Sequence, residues 1–314
     1  MVKILIIGVS GFTGRHLYDC LKNNAENEIY GTFCHGDALR HFGAGIRLQQ
    51  CDVSKYDEVT DLLTSLLPDQ IYFLASLVTV AKSSLFASEM LETNIAGTAF
   101  FFDAVKNICP KSRILVVGSA EQYGPVEPSS LPISEKTPLS PVSVYGISKA
   151  AAEHIGRYYQ KAFGLNVCFT RTFHVCGPFQ PSSFVFSDFG RQIIEIESGT
   201  RDKITVGNLS AKRDFTDIRD VVRAYVSLMQ FGISGCVYNV CSNASVSIQI
   251  VLDKMCFYSR KKIVVETDSS KLRPNDVPEY RGDNNLLIQT TDWSPAHSID
   301  DTVRDVLDYW RRIL

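Results

Sequence analysis

A tyrosine and a lysine four residues apart, Tyr145 and Lys149, begin a segment rich in helix-forming residues. On a helix this spacing places the two side chains next to each other on one face. A phenol beside an ammonium group becomes a better acid, because the positive charge favours the phenolate. The pair is therefore suited to exchanging a proton with a substrate oxygen near neutral pH. The same spacing also arises by chance on surface helices, so its role depends on the groups that accompany it.

A glycine-rich loop follows the first apolar run of the chain. Residues 2–7 are mostly β-branched or apolar, Gly8, Gly11, Phe12 and Gly14 come next, and residues 15–21 repeat apolar positions with helical spacing. This order predicts a strand, a loop and a helix. Such glycines permit a tight turn and the close approach of a pyrophosphate, and the helix N-terminus offers N–H groups to it. The loop predicts a nucleotide-binding site, with a merely structural turn as the alternative.

The elements that must position these groups alternate along the first half of the chain. Apolar runs predict strands at 28–33, 46–51, 70–76, 113–118 and 165–172, and helical spacing predicts helices at 56–67 and 86–105 and after Tyr145. This alternation predicts an α/β fold, a Rossmann-type doubly wound parallel sheet. Ligands bind such sheets at the carboxyl ends of the strands. The candidate residues at strand ends are Asp52, Val53, Leu74, Ala75, Ser76 and Ser119.

Each of these residues has a predicted role. Asp52 would accept a hydrogen bond from an adenine amino group, and the residues after the 70–76 strand would let a cofactor lie against the strand end. Ser119 would donate to a substrate oxygen beside Tyr145. At the end of the second strand no acidic residue stands where NAD sites usually place one, and His35 or Arg40 could approach a 2′-phosphate. The sequence favours NADP(H) over NAD(H) and leaves both open.

The second half of the chain is less regular. Predicted elements are helices at 186–197, 217–229, 247–258 and 299–313 and strands at 203–206, 235–241 and 263–266, with 235–241 returning to the main sheet. We expect a cofactor-binding domain of residues 1–172 plus about 211–242. A smaller interleaved C-terminal substrate domain would consist of about 173–210 plus 243–314.

Composition argues against several classes of protein. The 314 residues carry a formal net charge of −2 without a Lys/Arg run, which argues against nucleic acid or an anionic membrane as partner. No apolar stretch is long enough for a membrane span, and we expect the short N-terminal apolar run to be too brief for the h-region of a signal peptide. Nine cysteines without C-x-x-C spacing, among them Cys168 and Cys236, indicate reduced core thiols. We expect a cytoplasmic protein without a metal site.

The glycine loop, Asp52, Ser119, Tyr145 and Lys149 resemble, in order and separation, the extended short-chain dehydrogenase/reductase family of nucleotide-sugar enzymes. Segments 170–178, 206–215 and 272–278 resemble most closely its GDP-4-keto-6-deoxy-D-mannose reductases and the related GDP-mannose 4,6-dehydratases. The resemblance implies a homodimer formed through a four-helix bundle. Substrate-binding residues would be Glu121, His174, Asn208, Arg213, Arg273 and Asp276.

These residues have different implied roles. Arg213 and Arg273 would hold the substrate diphosphate, for which guanidinium groups are suited, and Asp276 would hold ribose hydroxyls. His174 replaces the asparagine usual in the family and is either a substrate donor or a packed imidazole. Without the resemblance, Arg213 beside Asp214 is equally consistent with a surface ion pair.

The implied reaction is NAD(P)H-dependent reduction of the C4 ketone of GDP-4-keto-6-deoxy-D-mannose to GDP-rhamnose or GDP-6-deoxytalose. Tyr145 would protonate the alkoxide, Ser119 would hydrogen-bond the carbonyl oxygen, and Lys149 would hold the nicotinamide ribose and lower the tyrosine pKa. Glu121 keeps a GDP-mannose 4,6-dehydratase possible, because that reaction needs a carboxylate in the site. An epimerase of the family and a nicotinamide-sensing protein without activity are further alternatives.

Overall fold

A seven-stranded parallel sheet forms the centre of the molecule in a computed structural model that describes residues 1–34, 42, 46–78, 87–272 and 277–314. The strands are β1 (Val2–Ile7), β2 (Asn27–Phe33), β3 (Arg47–Gln50), β4 (Gln70–Phe73), β5 (Arg113–Ser119), β6 (Asn166–Thr172), β7 (His174–Cys176), β8 (Ile204–Val206), β9 (Lys212–Asp217), β10 (Val237–Val240), β11 (Ser245–Ser247), β12 (Val265–Thr267) and β13 (Glu279–Tyr280). The helices are α1 (Phe12–Leu21), α2 (Tyr56–Leu66), α3 (Ala87–Leu91), α4 (Gly97–Ile108), α5 (Val144–Phe163), α6 (Val185–Ser198), α7 (Ile218–Phe231), α8 (Ile248–Phe257), α9 (Asn285–Thr291) and α10 (Ile299–Ile313).

The large sheet has the strand order β10-β6-β5-β4-β1-β2-β3, and every neighbouring pair is parallel. This confirms the predicted doubly wound sheet and the return of the 235–241 strand to it. The order proceeds in one direction from β1 to β3 and in the other from β4 to β10. The carboxyl ends of β1 and β4 therefore flank the switch point at which such sheets bind ligands.

Apolar side chains cover both faces of this sheet. Helices α1, α7 and α9 pack on one face, and α2, α4 and α5 pack on the other. The strands contribute continuous runs of fully buried residues, as in the burial pattern of β1. A parallel sheet covered on both faces needs apolar side chains at successive positions, which is why apolar runs predicted these strands well.

A smaller lobe is built around β9. This strand pairs in parallel with β7 and β13 and antiparallel with β11, while β8 and β12 form a separate pair. Helices α6, α8 and α10 enclose a third apolar core. Strand β9 falls within the 211–242 segment that the sequence assigned to the cofactor domain, although its strand partners all lie in the smaller sheet. The domain division stays a prediction.

One long helix predicted at 86–105 is interrupted in the structure. Between α3 and α4 lies a π-helical turn, Glu92–Ala96, that contains the buried Asn94. The Asn94 Oδ1 accepts from the Leu77 N–H at 2.8 Å, and its Nδ2 donates to the Ser148 Oγ at 2.9 Å. Turns of this kind often occur at functional sites. Here the turn contacts the first part of α5 through the hydrogen bond between Asn94 and Ser148.

Within the described residues, no helix has the length and apolarity needed to cross a membrane, and no cluster of His, Cys, Asp or Glu is arranged to hold a metal. All nine cysteines are free thiols. Cys168 is buried as predicted, Cys236 is half-buried, and Cys34 is exposed.

Candidate active site

The predicted serine and tyrosine meet where β5 ends and α5 begins. Ser119 is the last residue of β5, and Tyr145 is the second residue of α5. Ser143 fixes the start of the helix, since its Oγ accepts from the Gly146 N–H at 3.0 Å. The Ser119 side chain lies close enough to the Tyr145 hydroxyl to act on its pKa as a hydrogen-bond partner, and Tyr145 is only 8% exposed. Two groups 26 residues apart in the chain thus share one site.

Lys149 lies one helical turn beyond Tyr145, as the spacing predicted. Its Nζ lies 6.0 Å from the centroid of the Tyr145 ring and donates to the main-chain oxygen of Val117 at 2.9 Å. The ammonium group is therefore held against the end of β5. With 6% of its surface exposed, Lys149 is nearly sealed from solvent.

Burial dominates the protonation of both groups, which corrects one sequence-based expectation. Burial raises the pKa of Tyr145, the hydrogen bond with Ser119 lowers it, and the charge of Glu121 raises it further. Burial also lowers the pKa of Lys149 to about 8. The net shift of the tyrosine pKa is therefore upward and not downward as expected, because sequence reasoning counted the lysine charge and omitted the desolvation of both groups. Tyr145 is therefore a protonated phenol near neutral pH.

Glu121 follows Ser119 in a short 3-10 turn, Ala120–Gln122. Its main-chain N–H donates to the Ser119 Oγ at 3.2 Å, and its carboxylate accepts from the Ser143 Oγ at 3.3 Å. A Cβ added at Gly146 would lie closer than 3.0 Å to the Glu121 carbonyl oxygen, so α5 packs directly on this turn. A carboxylate consequently borders the Ser119–Tyr145 pair.

The glycine loop has the form that a dinucleotide phosphate requires. Gly8 has φ +90°, a conformation that side chains rarely adopt, and a Cβ added at Gly14 would lie closer than 3.0 Å to the Gly8 oxygen. Helix α1 begins at Phe12, and its N-cap, Gly11, supplies no side-chain cap. The first turn of α1 also lacks an acidic residue. Its N–H groups and positive dipole end therefore suit a phosphate.

The other predicted cofactor residues lie around the switch point or beside β3. Ala75 is next to the loop, since a Cβ added at Gly8 would lie 3.1 Å from the Ala75 nitrogen. The Leu74 N–H donates to the Ile7 oxygen at 3.0 Å, and the Ser76 Oγ donates to the Leu77 oxygen at 3.3 Å.

Asp52 and Val53 follow β3, with Cys51 between them and the strand. The Asp52 carboxylate accepts from the Ser54 N–H and Oγ at 2.9 and 2.7 Å, so a local turn already engages it. Val53 is buried in the apolar core against α4, next to Gly97. His35 lies outside the described residues. The cofactor roles of these positions stay predictions.

The predicted substrate residues of the smaller lobe gather around β9. His174 on β7 packs against the rings of Phe215 and Tyr280, with centroid separations of 6.0 and 5.5 Å. The guanidinium of Arg213 lies 5.5 Å from the Tyr280 ring centroid and donates to the Val277 oxygen at 2.7 Å. Thus His174 and Arg213 both contact the ring of Tyr280.

The alternative of a surface ion pair between Arg213 and Asp214 is wrong. Both residues are buried, and the Asp214 carboxylate accepts from the Ser242 Oγ and N–H at 2.6 and 2.8 Å and from the Gly282 N–H at 3.1 Å. The reason is the alternation of side chains along β9, which directs successive residues to opposite faces.

The other predicted substrate-binding residues do not join this group around β9 in the described part of the structure. The Asn208 Oδ1 accepts from the Ser210 N–H and Oγ at 3.0 and 2.8 Å in a local turn. Arg273 and Asp276 lie outside the described residues. Val277, which contacts Arg213, is the residue directly after Asp276 in the sequence.

Sequence reasoning missed several residues that hold the site together. Gln122, Glu153 and Arg171 form a buried polar chain behind Ser119. Asn94 reaches α5 through Ser148, whose Oγ donates to the Tyr145 oxygen at 2.8 Å. One signal was available, because Glu153 continues the four-residue spacing of Tyr145 and Lys149 along α5.

The sheet, the glycine loop at its switch point and the Ser119–Tyr145–Lys149 group define an enzyme of the extended short-chain dehydrogenase/reductase class. More specifically, the chain belongs to the GDP-mannose 4,6 dehydratase family, which it matches over residues 5–306.

Individual relatives agree with this assignment. The chain is 29% identical to the GDP-6-deoxy-D-mannose reductase of Pseudomonas aeruginosa, covering 98% of this chain and 97% of that protein. It is 27% identical to the GDP-6-deoxy-D-talose 4-dehydrogenase of Aggregatibacter actinomycetemcomitans, with 91% and 90% covered. The solved structure of RMD from Pseudomonas aeruginosa complexed with NADPH superposes with a TM-score of 0.88 at 28% identity, covering 100% of both chains.

Two glycine substitutions are expected to separate packing from cofactor binding in the loop. Gly14→Ala forces a Cβ onto the Gly8 oxygen and should lower the melting temperature, whereas at Gly11 the nearest atom is 3.4 Å away, an ordinary contact. Gly11→Ala should therefore fold with a nearly unchanged melting temperature and bind NADPH at least about 10-fold more weakly, because its methyl group would crowd the pyrophosphate. Thermal unfolding and fluorescence titration with NADPH measure the two effects. Wild-type affinity in Gly11→Ala would contradict the assignment of the loop.

Proposed function

We propose that this protein reduces the C4 ketone of GDP-4-keto-6-deoxy-D-mannose to a GDP-6-deoxyhexose with NAD(P)H. The observation that carries the proposal is the neighbouring Ser119 and Tyr145 side chains with Lys149 one turn away, at the carboxyl ends of the strands where the glycine loop also lies. The full-length similarity to the Pseudomonas aeruginosa GDP-6-deoxy-D-mannose reductase supports the choice of substrate.

The chain's own groups are suited to the proton chemistry of this reduction. A bound reduced nicotinamide supplies the hydride. Ser119 would donate a hydrogen bond to the carbonyl oxygen and orient it, and Tyr145 would give its proton to that oxygen as negative charge develops there. A raised tyrosine pKa fits this role, since the phenol must be protonated before the step. Lys149 would hold ribose hydroxyls and stabilise the phenolate left on Tyr145.

The smaller lobe would hold the nucleotide part of the substrate. Two arginines, Arg213 and Arg273, are proposed to bind the diphosphate, for which guanidinium groups are suited. The Arg213 side chain lies against Tyr280 and Val277. His174 and Asn208 would border the sugar or phosphates, and Asp276 would hold ribose hydroxyls.

NADP(H) is the proposed cofactor, with NAD(H) as the alternative, and the protein is proposed to be a cytoplasmic homodimer. Exposed apolar side chains on α3 and α5, the two helices proposed to form the bundle, support the dimer. These side chains are Leu91, Ile147, Tyr158 and Phe163. Sedimentation of the purified protein tests the assembly, and a monomer at all concentrations would exclude it.

Incubation with freshly prepared GDP-4-keto-6-deoxy-D-mannose and each reduced cofactor tests the function. We expect oxidation of NADPH or NADH in step with loss of the ketone, and NMR of the product gives the configuration at C4. Competition by GDP, UDP and dTDP tests the nucleotide, with GDP expected to bind most tightly. No consumption of either cofactor, or tighter binding of UDP or dTDP, would contradict the proposal.

A GDP-mannose 4,6-dehydratase is the second candidate, because Glu121 borders the site and the family includes that activity. The two functions make different demands on Glu121. If the protein is a reductase, Glu121→Gln should lose less than about 10-fold in kcat, since Tyr145 supplies the proton. Loss of a dehydratase base would cost about 10²- to 10⁴-fold. The measurement is kcat with the keto-sugar and, separately, with GDP-mannose. Dehydration of GDP-mannose that Glu121→Gln abolishes would favour the dehydratase.

A further inference from the structure

A buried chain of polar side chains runs from the main chain of Ser119 through α5 to β6. The Gln122 Oε1 accepts from the Ser119 N–H at 2.8 Å, and the Gln122 Nε2 donates to the Glu153 carboxylate at 2.8 Å. Glu153 in turn accepts two hydrogen bonds of 2.8 Å from the Arg171 guanidinium. A single amide thus connects the candidate catalytic serine to a buried ion pair.

The chain also connects the two elements that carry the site. Glu153 lies on α5, on the same face as Tyr145 and Lys149, and Arg171 lies on β6 next to β5. Gln122, Glu153 and Arg171 are all 5% exposed or less. Such a network is rigid when every group has a partner, because an unpaired polar group would be costly at this depth.

Electrostatics sets the orientation of the amide. Burial acts to raise the pKa of Glu153, but hydrogen bonds with Arg171 and Arg157 and their charges bring it below its ordinary value, so Glu153 is ionised. An ionised carboxylate only accepts hydrogen bonds, and it therefore selects the nitrogen of Gln122. The amide oxygen is left to face the Ser119 N–H.

The backbone beside the serine is shaped for this amide. A Cβ added at Gly118 would lie closer than 3.0 Å to the Gln122 Oε1. The absence of a side chain at this strand position lets the amide oxygen reach the main chain of the next residue. This close approach does not depend on the ion pair, and it also indicates that the Gln122 amide is fitted against the main chain of Ser119.

We propose that Gln122, oriented by Glu153 and Arg171, is a positioning residue that holds Ser119 in register with Tyr145. The proposal rests on the function proposed above for the Ser119–Tyr145 pair. Gln122 touches neither the substrate nor the cofactor in this role. It fixes the main chain of Ser119 against α5, so that both hydroxyls reach one substrate oxygen.

A matched pair of substitutions separates positioning from simple stability. Gln192 in α6 is a second buried glutamine, whose Nε2 donates to Asp188 at 2.8 Å and whose Oε1 accepts from the Thr205 N–H at 2.9 Å. Gln122→Leu and Gln192→Leu should lower the melting temperature by similar amounts. We expect only Gln122→Leu to lower kcat, by about 10- to 100-fold, because small displacements of reacting groups have effects of this size. KM should change little. Unchanged kcat in Gln122→Leu, or an equal loss in Gln192→Leu, would overturn the proposal.

A readout without turnover separates this inference from the proposed function. Hydrogen exchange of the Ser119 amide should be slow in the wild type and in Gln192→Leu and fast in Gln122→Leu. Wild-type protein that reduces no keto-sugar would defeat the proposed function alone. A Ser119 amide that exchanges equally fast in wild type and Gln122→Leu would defeat the inference, whatever the activity.

Discussion

Replacing Tyr145 by phenylalanine is expected to reduce kcat for keto-sugar reduction by about 10²- to 10⁴-fold, the range typical of a lost general acid. The ring would remain in its buried position, and only the hydroxyl that meets Ser119 would be removed. Cofactor affinity should therefore change little. Steady-state oxidation of NADPH with the keto-sugar, together with fluorescence titration of NADPH, measures both quantities.

Tyr238→Phe is the matched control. Tyr238 is also fully buried, and it lies on β10, the outermost strand of the large sheet. Its hydroxyl accepts a hydrogen bond from the Ile233 N–H at 2.9 Å. The Tyr238→Phe variant should lose one buried hydroxyl, as Tyr145→Phe does, and keep wild-type kcat. If Tyr145→Phe kept activity close to wild type, Tyr145 would not be the acid and the proposed mechanism would be wrong.

Lys149→Met is expected to abolish most activity and at the same time to stabilise the protein without cofactor at pH 7. Burial lowers the pKa of Lys149 from 10.5 to about 8, and this difference corresponds to about 3 kcal/mol of unfavourable ionisation in the folded state. Methionine removes that cost but leaves the Val117 oxygen without its lysine donor, which costs about 1 kcal/mol. A net gain of about 2 kcal/mol should appear in denaturant unfolding.

The pH dependence provides the check on this explanation. Between pH 8 and 10.5 the unfolded chain binds more protons at Lys149 than the folded chain does, so the wild-type free energy of unfolding should rise with pH across this window. Below pH 8 the full cost is present. Lys149→Met should lack this rise. A variant less stable than wild type at pH 7, with the same pH dependence, would show that burial of the ammonium is not unfavourable.

The elements of the large sheet could be predicted from sequence because each is encoded locally. The apolar runs of β1 and β5 are strands whatever lies beside them, and α10 begins and ends at the predicted residues. The Ser119–Tyr145–Lys149 group could also be predicted from sequence, since the alternation of strands and helices places its members at the carboxyl ends of the strands.

The smaller lobe was not predicted as well, because its strands depend on distant partners. Strand β9 contains four charged residues in six and has no apolar run. It forms a strand because Arg213 and Asp214 find buried partners at Val277 and Ser242. Spacing alone does not reveal such partners. The same applies to Gln122, whose role depends on a carboxylate 31 residues away.

The pairing of β9 determines the order in which a nascent chain can complete its two sheets. All strands of the large sheet have been synthesised once residue 240 is added. Strand β9, in contrast, can pair with β11 only after residues 245–247 are added and with β13 only after residues 279–280 are added. Until then, part of one edge of β9 has unpaired main-chain groups, the kind of edge that invites association with another chain. Contacts this distant in sequence also form slowly. The interval between these two stages of synthesis is therefore the period of greatest exposure to misassembly, after the large sheet is complete and before the smaller one is.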